Sequence, residues 1–162
     1  MDKVTPGPIP GKLKAEDLNQ FLELVRDRTV LQIGCYCGRA TVALARHARR
    51  TWVLENFNYA EGAEGIVEEL KASIERYAPE DSEINLLYGT AEGWAVPVSG
   101  KELPQHDIEV VYRDANRVGI DDTADTRLAL ELLRRRGGVY AWHDPDYNLR
   151  WLQVQPLPVE VN

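Results

Sequence analysis

Apolar residues recur along the chain in two alternating rhythms. Between Lys14 and Arg26, Leu18, Phe21, Leu22 and Val25 follow an i, i+3, i+4, i+7 pattern, which predicts a helix with one buried face. Val30 to Ile33 is a short, nearly continuous apolar run ending in Gly34, the pattern of a strand buried in a parallel sheet. Ala40, Ala43, Leu44, His47 and Ala48 mark one face of a second helix. Trp52 to Leu54 predicts a second strand, ending at Glu55, and Ile66, Leu70, Ile74 and Tyr77 predict the helix after it. Ile84 to Tyr88 predicts a third strand ending at Gly89, and Asp107 to Tyr112 a fourth ending at Arg113-Asp114. Thr123 to Arg135 reads as a helix facing inward through Leu128, Ala129, Leu132 and Leu133, stopped by Gly137-Gly138. Val139 to Trp142 reads as a fifth strand, ending at His143-Asp144.

Strands that alternate with helices imply an α/β fold, a doubly wound and mainly parallel sheet covered on both faces. In such sheets ligands bind outside the carboxyl ends of the strands, at the switch point. The polar residues expected there are Gly34 to Gly38, Glu55-Asn56, Gly89-Thr90, Asp114 and His143-Asp144.

The first of these tips, "GCYCG" over Gly34 to Gly38, carries the most chemistry. A glycine directly after the first strand allows a sharp turn and a close approach of backbone to ligand. The helix that follows is expected to offer N–H groups and a positive dipole end. Glu55 lies 21 residues beyond Gly34, matching the acid about 20 residues on that accepts hydrogen bonds from ribose hydroxyls. A carboxylate there suits a free diol and repels a 2′-phosphate, so the expected ligand carries an unphosphorylated adenosine-type ribose. The loop departs from the dinucleotide fingerprint, because Tyr36 stands at the middle position, where a pyrophosphate needs bare backbone. That weighs against NAD and FAD.

Composition narrows the partners. The chain has 162 residues, read as one domain over 1–162 with an N-terminal arm at 1–13 and a shortened C-terminal strand region at 148–162. Net charge is −7, which disfavours nucleic acid. The one basic run, Arg134 to Arg136 with Arg127 upstream, reads as cations at a helix C-terminus. No apolar run approaches the roughly 20 residues that span a bilayer, so no membrane partner is expected. "MDKVTPGPIPGKL" has no apolar core of a secretory leader, which makes the cytoplasm the expected compartment. A small-molecule partner is expected.

The two cysteines, Cys35 and Cys37, are separated by one residue. A structural zinc site takes four ligands, and none of His47, His106 and His143 falls at a zinc-like spacing. Thioredoxin-type redox pairs are C-x-x-C, and a disulfide across a single residue would be strained. The pair reads as small residues in a tight turn.

"PGKLKAEDLNQFLELVRDRTVLQIGCYCGRATVALA" resembles the opening of a class I S-adenosylmethionine-dependent methyltransferase, in particular methyltransferase family 24. "GCYCGRAT", Gly34 to Thr41, is the most specific part. "DIEVVYRDANR" is similar to the family's fourth strand and acidic tip, and "LLRRRGGVYAWHDPDY" to its fifth strand. The resemblance runs from about Gly7 to Tyr147.

It implies that S-adenosylmethionine is the cofactor. Gly34, Cys35, Tyr36, Cys37 and Gly38 would wrap its amino-acid part, with Asp114 nearby, and Glu55 would bind the ribose. Asn56 and Phe57 would border the adenine on one side, and Gly89, Thr90 and Ala91 on the other. In metal-dependent relatives, acids at the fourth and fifth strand ends hold a divalent cation, and Asp114 and Asp144 match those positions for Mg2+. Three departures stand out: Thr90, with Glu92 beyond it, replaces an adenine-binding acid, Asn116-Arg117 replaces Asp-His, and Pro145 replaces a further amide ligand. Trp94, in the loop after the third strand, is a candidate pocket-lining residue, and Asp121-Asp122 a candidate helix cap.

The expected activity is methyl transfer to an oxygen of a small molecule, with Asp114 or His143 as the catalytic base. Beyond Tyr147 only one or two very short strands are expected, where class I enzymes finish with two. Two alternatives therefore stand beside it. One is a non-catalytic, shortened methyltransferase-like module that binds the cofactor or a partner protein. The other is a nucleotide-binding oxidoreductase fragment. Pairing of two copies along an edge through Trp151 to Val161 is a further expectation.

Overall fold

In the computed structural model the chain runs α1 (Ala15–Val25), β1 (Thr29–Ile33), α2 (Arg39–Ala45), β2 (Arg50–Glu55), α3 (Ala63–Tyr77), β3 (Ile84–Tyr88), β4 (Val96–Pro97), β5 (Val110–Arg113), α4 (Asp122–Leu133), β6 (Gly138–His143) and β7 (Leu149–Val154). Residues 14–56, 63–91, 96–97, 102–114, 122–143 and 148–158 are described, and the arm at 1–13 lies outside them.

The strands form one sheet in the order β4-β3-β2-β1-β5-β6-β7. β3, β2, β1, β5 and β6 are mutually parallel, and β4 and β7 are antiparallel edges. The chain leaves β1 for β2 on one side and returns to β5 on the other, so the switch point lies at the carboxyl end of β1.

Alternation along each strand divides the core in two. Val30, Val110, Tyr112, Val139 and Ala141 pack against α1 and α2 through Leu18, Phe21, Leu22, Val25, Ala40, Ala43 and Leu44. Leu31, Ile33, Trp52, Leu54, Val111 and Tyr140 face the other way, onto Ala129, Leu132 and Leu133 of α4. Cys35, Val53 and Leu70 seat α3 against β2 and the turn that follows β1. Burying each such apolar side chain contributes about 1.5–3 kcal/mol. That is what holds α1 in place, because its N-cap residue, Lys14, makes no side-chain capping bond.

The five parallel strands stand where the apolar runs put them, with shifts at their ends, and the antiparallel edges differ from the reading. β2 extends to Arg50 because backbone pairing with β1 continues past the apolar residues. The fourth parallel strand begins at Val110 rather than Asp107, since Gln105 to Asp107 form a turn closed by the Asp107 N–H donating to Pro104 O at 3.1 Å. The C-terminal region forms one six-residue strand instead of very short pieces: β7 pairs with β6 from Leu149 to Val154, and Pro156, lacking an N–H, follows its end. β4 has no counterpart in the sequence reading.

Gly137-Gly138 does end α4, with Gly137 N–H donating to Leu133 O at 2.8 Å. A Cβ at Gly138 would stand 2.2 Å from Glu109 O, so β6 can enter the sheet there only as glycine.

Candidate functional site

Backbone hydrogen bonds tie the strand tips into one rim. Gly34 N–H donates to Leu54 O at 2.8 Å, Gly89 N–H to Glu55 O at 3.1 Å and Asp114 N–H to Ile33 O at 3.0 Å. The expected tips of β1, β2, β3 and β5 are thereby neighbours at one end of the sheet. Asn56, Gly89, Thr90, Ala91 and Asp114 are partly exposed along this rim.

The turn between β1 and α2 needs unusual backbone. Gly34 and Gly38 have φ of 83° and 93°, and Tyr36, between them, has φ of 48°. A left-handed tyrosine is uncommon and persists only where its surroundings enforce it. Gly38 also has no room for a side chain, since a Cβ would stand 2.8 Å from Leu70 Cδ1. The glycine therefore answers to α3 packing as well as to its φ.

Two buried polar side chains hold the turn from opposite sides. Glu55, only 1% exposed, accepts hydrogen bonds at Oε1 from the N–H groups of Cys35 at 2.8 Å and Tyr36 at 3.3 Å. Its Oε2 accepts from Asn56 N–H at 2.9 Å. Successive amides around a left-handed residue form an anion-binding nest, and here the anion is the chain's own carboxylate. A carboxylate offers about four acceptor sites, so most of this one is committed to backbone. On the other side Gln32 Nε2 donates to Gly34 O at 3.0 Å, while Gln32 Oε1 accepts from Thr41 Oγ1 at 2.8 Å. Gln32 and Thr41 are fully buried.

Cys35 and Cys37 are both buried and form no disulfide. Burial, first, and then the Glu55 and Asp114 charges push the Cys35 thiol well above its ordinary range, so it stays protonated. No group of three or more metal-ligating side chains occurs among the described residues.

His143, the last residue of β6, is 5% exposed, and its Nδ1 lies 2.9 Å from the Tyr112 hydroxyl. Tyr112 is fully buried and packed on Phe21, with ring centroids 4.7 Å apart. Burial and the Asp114 and Asp17 charges push its phenol well above the ordinary range.

The structure thus brings together Gly34, Cys35, Tyr36, Cys37, Gly38, Glu55, Asn56, Gly89, Thr90, Ala91 and Asp114, with His143 buried at the neighbouring tip. Phe57, Glu92, Trp94, Asn116, Arg117, Asp121, Asp144 and Pro145 lie outside the described residues. Sequence reasoning passed over Gln32, Thr41 and Tyr112. Their signal was a polar group inside an otherwise apolar strand or helix face, which a fully buried element tolerates only when hydrogen-bonded.

No protein-family model and no curated protein matches the sequence. By fold the chain is similar to many solved structures. Cofactor-bound Rv0187 from MTB matches with TM-score 0.60 and 24% identity, over 83% of this chain and 58% of that one. An S-adenosylmethionine-dependent O-methyltransferase from Thermotoga maritima matches with TM-score 0.60 and 14% identity, over 84% of this chain and 46% of that one. Phosphoethanolamine N-methyltransferase 1 of Haemonchus contortus, in complex with phosphoethanolamine and S-adenosylhomocysteine, matches with TM-score 0.56 and 18% identity, over 82% and 26%. This chain spans less than two thirds of the length of each. The likeness establishes a Rossmann-like class I methyltransferase fold. The acceptors named differ between oxygen and nitrogen, so the fold alone assigns none.

Proposed function

We propose that the chain binds S-adenosylmethionine at the rim and transfers its methyl group to an oxygen of a small molecule. The observation that carries this reading is the pairing of the Gly34–Gly38 turn with Glu55 at adjacent strand tips, on the switch point of this fold. The resemblance of "GCYCGRAT" to methyltransferase family 24 belongs to the same reading.

The donor set suits such a ligand. Glu55 is an acid at the tip of β2 that favours ribose hydroxyls over a phosphate, and the partly exposed rim supplies backbone N–H and C=O groups beside it. When bound, the sulfonium supplies an already activated methyl group. The chain's task is to hold the acceptor oxygen in line with that carbon and to take the proton that leaves the oxygen. Asp114 and His143 are the candidates for the proton. The new bond is oxygen to carbon, and the bonding pair of the broken carbon–sulfur bond stays with sulfur. The reading calls on no metal.

One observation favours the second reading, a scaffold without transferase activity. Glu55 is buried and already engaged by loop amides, so a diol must share or displace those bonds. Calorimetric titration with S-adenosylmethionine, S-adenosylhomocysteine and NAD, on wild type and Glu55→Ala, separates the cases. Saturable binding of the first two, lost in the variant, supports the proposal and justifies a screen of hydroxylated acceptors. Binding of neither favours the scaffold, and binding of NAD alone overturns the cofactor.

A further inference from the structure

We propose that the outer edge of β7 is a docking site for a second copy of this chain, whose own β7 adds antiparallel across a two-fold axis at Leu152 and joins the two sheets into one. The proposal is independent of methyl transfer, because it rests on the edge of the sheet and on no bound molecule.

The two edges of the sheet are finished differently. β4 is two residues long and includes Pro97, which has no N–H to offer, so that edge is a poor template for another strand. β7 runs six residues, Leu149 to Val154, in unbroken register with β6, and among the described residues no strand pairs with its other side. A long, regular edge strand presents a row of backbone N–H and C=O groups that another strand can take up. The described tail does not double back over them. It turns towards α4 instead, where Leu157 N–H donates to Arg134 O at 2.8 Å.

The side chains of β7 call for the same kind of partner. Trp151 and Leu152 are 44% and 41% exposed and point to opposite faces of the sheet. Trp151 shares the face of Leu149, which packs against the α1 side of the core, and Leu152 shares that of Val154, on the α4 side. A helix laid on one face would leave the other apolar side chain in water. A strand added at the edge brings cover to both.

Charge and symmetry favour a second copy and select its register. An antiparallel pair of identical strands is related by a two-fold axis normal to the sheet, and residues opposite each other share a face, so the axis passes through one residue of β7. Arg150 is the one charged residue of the strand. An axis at Arg150 would set two guanidinium groups opposite each other, and an axis at Trp151 would set them on a diagonal, where like charges still repel. An axis at Leu152 places them about 13 Å apart along the strands. Arg150 then stands opposite Val154 of the partner subunit, and Leu152 opposite Leu152 of the partner subunit. The partner's Trp151 lies diagonal to Trp151, within reach of a large ring. The self-pair thus buries both exposed apolar residues and opposes no like charges.

A single strand pair makes a small interface, so we expect self-association in the micromolar range. Sedimentation equilibrium of the full chain from about 1 to about 200 µM should show the mean mass rising from one chain towards two. Leu152→Lys sets like charges at the axis and should weaken the dimer at least about tenfold, with the circular dichroism spectrum unchanged. Under mild oxidation Leu152→Cys should form a cross-linked dimer and Trp151→Cys should not, while Cys35 and Cys37 are buried away from the reaction. A monomer across the whole range overturns the proposal, and one that dimerises only after removal of residues 1–13 would give the edge to that arm instead. A dimer indifferent to Leu152→Lys, or trapped through Trp151→Cys rather than Leu152→Cys, also overturns it. If Leu152→Lys does not fold, the wild-type mass and the two cysteine variants decide.

Discussion

The carboxylate of Glu55 sits 2.8 Å from the amide nitrogen of Cys35, so the acid at the tip of β2 clamps the turn at the tip of β1. The bond joins residues that are 20 apart in sequence, from the tip of β2 to the tip of β1 beside the switch point of the sheet. One side chain thereby couples the shape of the loop to the proposed cofactor site.

Glu55→Gln tests that coupling without the ligand. The substitution removes the charge and turns an amide N–H2 toward backbone donors that need an acceptor. We expect a loss of about 1–3 kcal/mol in denaturant unfolding, the cost of leaving buried donors unpaired. Amide hydrogen exchange should quicken at Cys35, Tyr36 and Asn56 before it does in the strands. Unchanged exchange at those three amides would show that the loop holds its shape without Glu55.

Gly38→Ala should destabilise by about 1–3 kcal/mol, and the double mutant with Leu70→Ala separates its two causes. The new methyl group meets Leu70 Cδ1 at 2.8 Å and also sits at a φ of 93°. If packing dominates, Gly38→Ala costs far less in the Leu70→Ala background than in wild type. Equal costs in both backgrounds would place the penalty in the left-handed backbone.

Much of the frame was legible because burial on both faces leaves a plain mark. Val30–Ile33, Ile84–Tyr88 and Val139–Trp142 are apolar runs bounded by glycine or acid, and the strands formed there. The tips followed from the strands, since a parallel sheet brings alternate loops to one end. Contacts set by register across the sheet were not legible. Gln32 reads as a blemish in an apolar run until β5 and α2 close over it. Tyr112 and His143 are 31 residues apart and meet only because β5 and β6 are parallel neighbours. Glu55 was expected to face a ribose, and sequence spacing does not tell that its oxygens turn back onto the loop. β7 was underestimated because prolines shorten a strand only where their missing N–H is needed, and Pro156 falls beyond the paired residues.

Thr41→Val should be costly alone and mild in company. Alone it leaves Gln32 Oε1 buried without its 2.8 Å donor, at about 1–3 kcal/mol. Thr41→Ser retains the hydroxyl and should recover most of that. In a Gln32→Leu background, Thr41→Val has no acceptor left to abandon, so its cost should fall towards zero. Additive losses by thermal or urea unfolding would mean that the pair is not coupled.

The raised thiol of Cys35 predicts a particular loss of stability in alkali. An ordinary thiol ionises near about pH 8.5, and burial with the Glu55 and Asp114 charges holds the folded-state value well above that. Above about pH 8.5 the unfolded chain therefore binds fewer protons than the folded one, and stability falls as pH rises. Cys35 contributes no pH dependence below that range, because both states are then protonated. Cys35→Ala lowers stability at every pH by removing contacts with Val53 and Leu70, so the slope rather than the level is informative. Between about pH 8 and 9.5, below the range where Tyr112 begins to contribute, unfolding free energy should decline less steeply in Cys35→Ala than in wild type. The same protonation keeps native Cys35 unreactive to iodoacetamide at the lower end of that range, while the unfolded chain is alkylated readily. Equal slopes together with rapid alkylation of native Cys35 would show that the thiol is neither buried nor faced by those two carboxylates.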